Sequence, residues 1–402
     1  MPSLGPNRAN WTIGPGTTPV EIHFLGSVPI VESEWQRYKH VFMTGDADHL
    51  LPSDLPVTLL GPDGHPVADA GHALPAEAAL TTALAGLITA RRLNDQAYAL
   101  VRQGRLAVYP SSHGQEACQV AAAQVLADGD WLFPTYRDTV AVVGRGVDPV
   151  EALTLLKGDW HCGWDPYEHR VAPHATPLAT QLPHAVGVAH AARLRGEPTV
   201  VMALCGDGGT SEGDFHEALN FAAVLRAPVV FLIQNNEYAI SVPLARQTAA
   251  PSLAHKGIGY GIPGARVDGN DVAALLAVLG AAVTKARAGE GPQLVEAHTY
   301  RMQAHTNADD ATRYRAAADV EAWVARDPIT RLTAHLALPP DELADLHEQA
   351  ERVAEHVRDG LNRDVEPVPA DLFAHVYAAP TPQLREQAAQ LADELDREGA
   401  LR

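Results

Sequence analysis

Residues 199–241 carry two apolar runs with an amphipathic stretch between them. The first, 200–205, ends in Gly206-Asp207-Gly208, and the second, 229–233, leads into Asn235-Asn236. Short unbroken apolar runs bounded by turn residues predict strands buried on both faces. Between them, Ser211-Glu212-Gly213-Asp214 predicts a helix start, with Ser211 as cap and Asp214 three residues later, followed by an amphipathic helix over 215–225. The unit reads as strand, helix, strand.

The alternation continues with a helix over 271–288 and a strand over 293–299, and helices are expected upstream at 80–103 and 114–126. This order predicts an α/β fold with a doubly wound, mainly parallel sheet covered on both faces. After Asp327 the pattern turns helical. Leu343, Leu346, Ala350, Val353 and Val357 recur at heptad-like spacing, as do Leu384, Leu391 and Leu395, which suits packing on the same domain or a subunit contact. Residues 1–75, rich in Gly, Pro and Asp with short β-like pieces at 20–25 and 57–60, read as an N-terminal extension. The expected division is an arm at 1–75, an α/β domain at 76–330 and a helical segment at 331–402.

Parallel strands joined by a helix open their carboxyl ends on one edge of the sheet, where doubly wound folds hold ligands. Asp207 and Asn236 are therefore expected to converge. A carboxylate and an amide oxygen suit Mg²⁺, a hard ion that shares its sites with substrate phosphates. Gly206 and Gly208 let backbone approach a diphosphate, and the helix N-terminus beyond them favours its charge.

Several separated motifs extend this pattern: Tyr136-Arg137, Thr176-Pro177-Leu178-Ala179-Thr180-Gln181, Asn235-Asn236-Glu237-Tyr238-Ala239-Ile240-Ser241, and Tyr300-Arg301 through His305 to Asp309-Asp310. Gly206-Asp207-Gly208 with Asn235-Asn236 is similar to the thiamine diphosphate signature. From about residue 103 to 315, with weaker similarity near the C-terminus, the chain resembles the α subunit of 2-oxo acid dehydrogenases, especially the branched-chain type. The resemblance implies the thiamine diphosphate-binding fold, as its pyrophosphate-binding domain.

By resemblance, Tyr136 and Arg137 touch the diphosphate, Thr176 and Leu178 lie in a segment against the aminopyrimidine and the substrate pocket, and the carbonyl of Tyr238 joins Asp207 and Asn236 around Mg²⁺. Gln234 stands where some relatives carry a second diphosphate-binding Arg, so that contact is expected to be weaker. Ala175, Pro177, Thr180 and Gln181 are the positions of a possible monovalent cation. His305 falls in the family's active-site loop and is expected to be catalytic, as a proton donor or in orienting the lipoyl group. Glu237 departs from the Gly common in relatives, and a turn with φ > 0 there would be costly.

Composition narrows the picture. A chain of 402 residues, 46% hydrophobic, can bury a large core, and a net charge of −19 with pI near 5.4 argues against nucleic acid or an anionic membrane as partner. Cys118, Cys162 and Cys205 form no CxxC pair, so neither a disulfide framework nor a zinc site is expected, and a reducing cytoplasm fits. The spacing of His161, His169, His174, His184 and His190 fits no zinc motif. No stretch approaches the roughly 18 apolar residues of a membrane span, and no targeting segment is evident.

The resemblance also implies partners. Thiamine diphosphate needs a carboxylate from a pyrimidine-binding domain, which residues 1–75 and a helical tail cannot supply, so a β subunit and an α2β2 assembly are expected. The implied activity is oxidative decarboxylation of a branched-chain 2-oxo acid, with acyl transfer to the lipoyl domain of an acyltransferase component. Pyruvate is the alternative substrate. A noncatalytic scaffold or regulatory subunit is the alternative from another class, and the joint presence of Asp207, Asn236 and His305 argues against it.

Overall fold

Strands form where apolar runs can be covered from both sides. The computed structural model describes residues 48–158, 163–174, 176–363 and 368–399. The expected β-like piece at 20–25, together with His161, Cys162 and Ala175, lies outside them. Residues His49–Arg402 group as one compact unit. Its strands are β1 (Trp131–Phe133), β2 (Val201–Gly206), β3 (Val229–Asn235), β4 (Tyr238–Ala239), β5 (Val242–Pro243), β6 (Gly264–Asp268) and β7 (Gln293–His298).

Five of them make one parallel sheet in the order β1-β2-β3-β7-β6, while β4 and β5 pair as a small antiparallel hairpin. The main helices are α1 (Glu77–Arg102), α2 (Glu116–Gln124), α3 (Gln181–Arg195), α4 (Gly213–Val224), α5 (Val272–Arg287), α6 (Pro328–Leu336), α7 (Pro340–Leu361) and α8 (Pro382–Gly399). Alternate strand residues point to opposite faces. Met202, Leu204, Val230, Leu232 and Val295 pack under α1, α2 and α5. Val201, Ala203, Cys205, Val229, Phe231 and Ile233 pack under α3 and α4. The unbroken apolar runs are thus explained by a sheet with both faces buried, as expected for a doubly wound fold.

Two strands lack the expected signature. β1 is only three residues long, too short to show a period, and β6 mixes Gly264 and Arg266 at the sheet edge. That edge is partly covered: Val57 N–H donates to Arg266 O at 2.9 Å and Asp268 N–H to Val57 O at 3.0 Å. Next to it, Asp271 caps α5 through Ala273 N and Ala274 N, while its other oxygen accepts from Leu59 N and Leu60 N at 2.7 Å each. Leu59 and Leu60 belong to the core.

The start of α4 differs from expectation. After Asp207 the chain makes a 3₁₀ turn, Gly208–Ser211, and α4 begins at Gly213 with Glu212 before it and no side-chain cap. Thr210 Oγ1 donates to Asp207 O at 2.7 Å, and Lys256 Nζ donates to both Thr210 O and Thr210 Oγ1 at 2.8 Å. This tight, pinned turn postpones the helix and takes Ser211 out of the capping position. Downstream, α7 lays Ala350, Ala354, Val357 and Leu361 against its own unit, and Glu351 receives Arg92 Nε at 2.6 Å on α1.

Candidate active site

The loops that follow β1, β2, β3 and β7 meet at the carboxyl edge of the sheet. Asp207 is the residue directly after β2 and is 1% exposed. Its Oδ2 accepts from Gln247 Nε2 at 2.7 Å. Burial pushes its carboxyl upward, against smaller lowering contributions from Gln247 and from Arg301. A buried carboxylate of this kind gains from a cation, which would relieve the cost of its charge.

Asn236 follows β3. Its Nδ2 donates to Gln115 Oε1 at 2.8 Å, and its Oδ1 accepts from Tyr238 N at 3.2 Å. Glu237 between them sits at φ 73°, in the left-handed region that was expected to be costly for a non-glycine residue. The turn is held on every side: Asn235 Oδ1 accepts from Glu237 N at 3.2 Å, Leu244 N donates to Glu237 O at 2.9 Å, and Glu237 Oε1 pairs with His298 Nε2. Gly208 lies against this hairpin, and a Cβ there would stand 2.7 Å from Ala239 Cβ. The glycine is required by that close approach.

The donor set suits a hard ion: one carboxylate, one amide oxygen and one backbone carbonyl. The Tyr238 carbonyl also accepts from Arg301 Nη1 at 3.1 Å, leaving one lone pair. Among the described residues no group of three or more His, Cys, Asp or Glu could hold a metal ion.

Tyr136, Arg137 and His305 come together although the chain separates His305 from the other two by more than a third of its length. Arg137 is 6% exposed. Its Nη1 donates to Ser111 O at 2.9 Å, and its Nη2 donates to His305 Nδ1 at 3.0 Å and His305 O at 3.1 Å. The Tyr136 ring meets the His305 ring edge-on, with centroids 6.1 Å apart. Burial first, then the charges of Arg137 and Arg301, hold the His305 imidazole down to about 4. The ring is therefore neutral at pH 7, and because Arg137 donates to Nδ1, its proton resides on Nε2. Asp309 Oδ2 accepts from His305 N at 2.7 Å and fixes the loop.

Gln234 is not free to face a ligand. It is 1% exposed, donating through Nε2 to Asp138 Oδ1 at 2.7 Å and accepting at Oε1 from Gln115 Nε2 at 3.1 Å. Leu178 is 43% exposed, Ala179 beside it takes φ 63°, and Thr180 Oγ1 donates to Pro177 O at 3.1 Å. Gln181 donates to Leu204 O at 2.7 Å and keeps a buried Oε1 with no protein partner. Gln115, Asp138 and Gln247 were not singled out from sequence. Polar residues inside the Ala-rich stretch around Gln115 were the available signal.

A parallel sheet with its candidate residues gathered on the carboxyl edge defines a doubly wound α/β protein of the ligand-binding type. The chain belongs to the dehydrogenase E1 component family, which it matches over residues 86–376. It is 47% identical over 355 residues to the 3-methyl-2-oxobutanoate dehydrogenase subunit alpha of Mycobacterium tuberculosis, covering 87% of this chain and 96% of that protein. It is 42% identical over 246 residues to the pyruvate dehydrogenase E1 component subunit alpha of Staphylococcus aureus, covering 61% of this chain and 66% of that one. Family membership implies thiamine diphosphate as cofactor, and the resemblance drawn from the motifs is borne out.

Proposed function

We propose that this chain is the α subunit of a branched-chain 2-oxo acid dehydrogenase, acting with a β subunit in an α2β2 assembly and passing its acyl product to the lipoyl domain of an acyltransferase component. The single observation that carries the site reading is the meeting of Asp207, Asn236, Arg137 and His305 at one sheet edge in a chain 47% identical to a protein named for 3-methyl-2-oxobutanoate. Among the described residues no helix is long and apolar enough to cross a membrane, and a cytoplasmic location is part of the proposal.

Thiamine diphosphate, when bound, supplies the electron sink that lets a 2-oxo acid lose CO₂. The residues here supply the hold and the hydrogen-bond donors. Asp207, Asn236 Oδ1 and the Tyr238 carbonyl would hold Mg²⁺ against the diphosphate, and Tyr136 with Arg137 would approach its oxygens, although Arg137 Nη2 is already engaged by His305. Thr176 and Leu178 would line the pyrimidine and substrate side, and Gln181 Oε1 with Pro177 and Thr180 could satisfy a monovalent cation. His305 offers a neutral Nε2–H at pH 7. It can donate a hydrogen bond at that atom to a developing negative charge during acyl transfer, orienting the lipoyl group, whereas giving a proton would require the ring to be protonated first.

Co-expression with the β subunit, followed by a panel of 2-oxo acids with an artificial electron acceptor, tests the reading. Branched-chain acids should give the highest kcat/KM. Preference for pyruvate would replace the substrate assignment, and no turnover with any acid despite Mg²⁺-dependent cofactor binding would replace the enzyme by a scaffold.

A further inference from the structure

Three hydrogen bonds connect Asn236 to Asp138 through two further amides, and all of them point the same way. Asn236 Nδ2 donates to Gln115 Oε1 at 2.8 Å, Gln115 Nε2 to Gln234 Oε1 at 3.1 Å, and Gln234 Nε2 to Asp138 Oδ1 at 2.7 Å. All four side chains are buried. A primary amide has a donor end and an acceptor end, so in a chain of amides the orientation of one dictates the next. Only the groups at the ends can choose the direction.

Asp138 makes that choice at its end. Its Oδ1 accepts from Gln119 Nε2 at 2.9 Å as well as from Gln234, and its Oδ2 accepts from Thr135 N at 2.7 Å and Thr135 Oγ1 at 2.6 Å. Four donors converge on one carboxylate, which acts as an acceptor at every contact. Gln234 must then present its nitrogen to Asp138 and its oxygen to Gln115. Gln115 must present its oxygen to Asn236, and Asn236 must turn its nitrogen there.

We infer that Asp138 is a positioning residue which, through Gln234 and Gln115, sets the side chain of Asn236 with its oxygen end available to the metal. This rests on the reading of Asn236 as a Mg²⁺ ligand. The Tyr238 N–H favours the same orientation, so the relay adds to an existing preference. It also gives Gln234 a function at a position where a direct diphosphate contact was expected.

The relay has a property that independent structural residues lack: it can be reversed. With Asn236→Asp, the new carboxylate calls for donors from Gln115, and the direction conflicts with Asp138. Adding Asp138→Asn supplies an amide donor at the far end, so every link is satisfied in the opposite sense. Gln119 Nε2, which also donates to Arg137 O at 3.2 Å, keeps that bond and gives up the one to position 138.

The experiment is a double-mutant cycle over Asp138→Asn and Asn236→Asp, with and without Gln234→Met, on the chain co-expressed with its β subunit. Thermal unfolding is read without metal, and Mg²⁺ affinity by calorimetry at saturating thiamine diphosphate. Asp138→Asn alone should weaken Mg²⁺ binding about three- to tenfold, the worth of one net hydrogen bond. In the Asn236→Asp background the same change should raise the unfolding temperature and cost no further affinity. Gln234→Met should abolish this coupling, whereas plain charge repulsion between positions 138 and 236 would survive it. Gln115→Glu, which accepts from Asn236 whatever Gln234 does, should make Mg²⁺ affinity insensitive to Asp138→Asn. Additive losses, or coupling that persists with Gln234→Met, would overturn the relay while Asp207→Ala still loses Mg²⁺. Unchanged Mg²⁺ affinity in Asp207→Ala would instead overturn the metal reading beneath it.

Discussion

Glu237 Oε1 lies 2.5 Å from His298 Nε2 while the Glu237 backbone holds φ 73°. The side chain ties the hairpin to the end of β7, and His298 is itself packed edge-on against Trp323, with centroids 5.3 Å apart. A residue type disfavoured by its backbone is thus kept in place by its side chain. The turn it maintains carries Tyr238, whose carbonyl is a proposed metal ligand.

This separates two substitutions. Glu237→Gly loses the His298 pair but relieves the left-handed strain, whereas Glu237→Ala loses the pair and keeps the strain. The alanine variant should be less stable than the glycine variant by about 1 kcal/mol. Urea denaturation of both checks it, and an alanine variant as stable as the glycine one would remove the strain argument.

Asp207 is predicted to trade stability for binding. Burial raises its carboxyl pKa, so relative to the unfolded chain the charged form is disfavoured, and above its unfolded pKa this group costs the metal-free protein stability. Asp207→Asn keeps an oxygen for Gln247 and removes that cost. The metal-free variant should melt higher at pH 7 and lose the stabilisation that Mg²⁺ with thiamine diphosphate gives the parent protein. A lower melting temperature without metal would contradict the sign.

His305 should respond to Arg137. Removing one of the two charges that depress its pKa, by Arg137→Gln, should move it from about 4 partway toward 6.5, with burial still holding it below the ordinary value. NMR titration of the ring reads this directly, and an unmoved pKa would show that Arg137 has no electrostatic hold. In the reconstituted assembly, His305→Ala should slow lipoyl acylation by about 10²- to 10⁴-fold while decarboxylation with an artificial acceptor falls less. Equal losses would make His305 a structural residue of its loop.

A second histidine gives a pH signature without catalysis. His174 packs edge-on to Trp164 at 5.3 Å, has both ring nitrogens buried without partners, and is held down to about 4 by burial. Between pH 6.5 and about 4 the unfolded chain takes up a proton that the folded one refuses, so stability falls as pH falls through that window, by up to about 3 kcal/mol. His174→Phe should keep the ring contact and flatten that part of the curve. Denaturation at pH 7 and 4.5 checks it: equal losses for parent and variant would mean that His174 is not held neutral.

Much of the fold was legible because the causes are local. Apolar runs at 200–205 and 229–233 can only be strands with both faces covered, and the glycine and polar residues that end them mark the sheet edge. Asp207 and Asn236 followed from topology alone, since parallel neighbours open on the same side. Short β1 and edge β6 gave no period, and the Ser211 cap failed because Lys256, 45 residues away, pins Thr210 into a tighter turn.

Sequence by itself determined the family, the parallel sheet and the residue types brought to its edge, because these depend on local pattern and on motifs in order. Tertiary structure alone decided how those residues are used. Arg137 donating to His305 Nδ1, Glu237 anchored on His298, and Gln234 turned from the ligand toward Asp138 all join residues more than 50 positions apart. Hydrogen-bond direction, burial and the resulting pKa shifts arise only when distant donors and acceptors share one dry space, and no reading of neighbours along the chain contains that information.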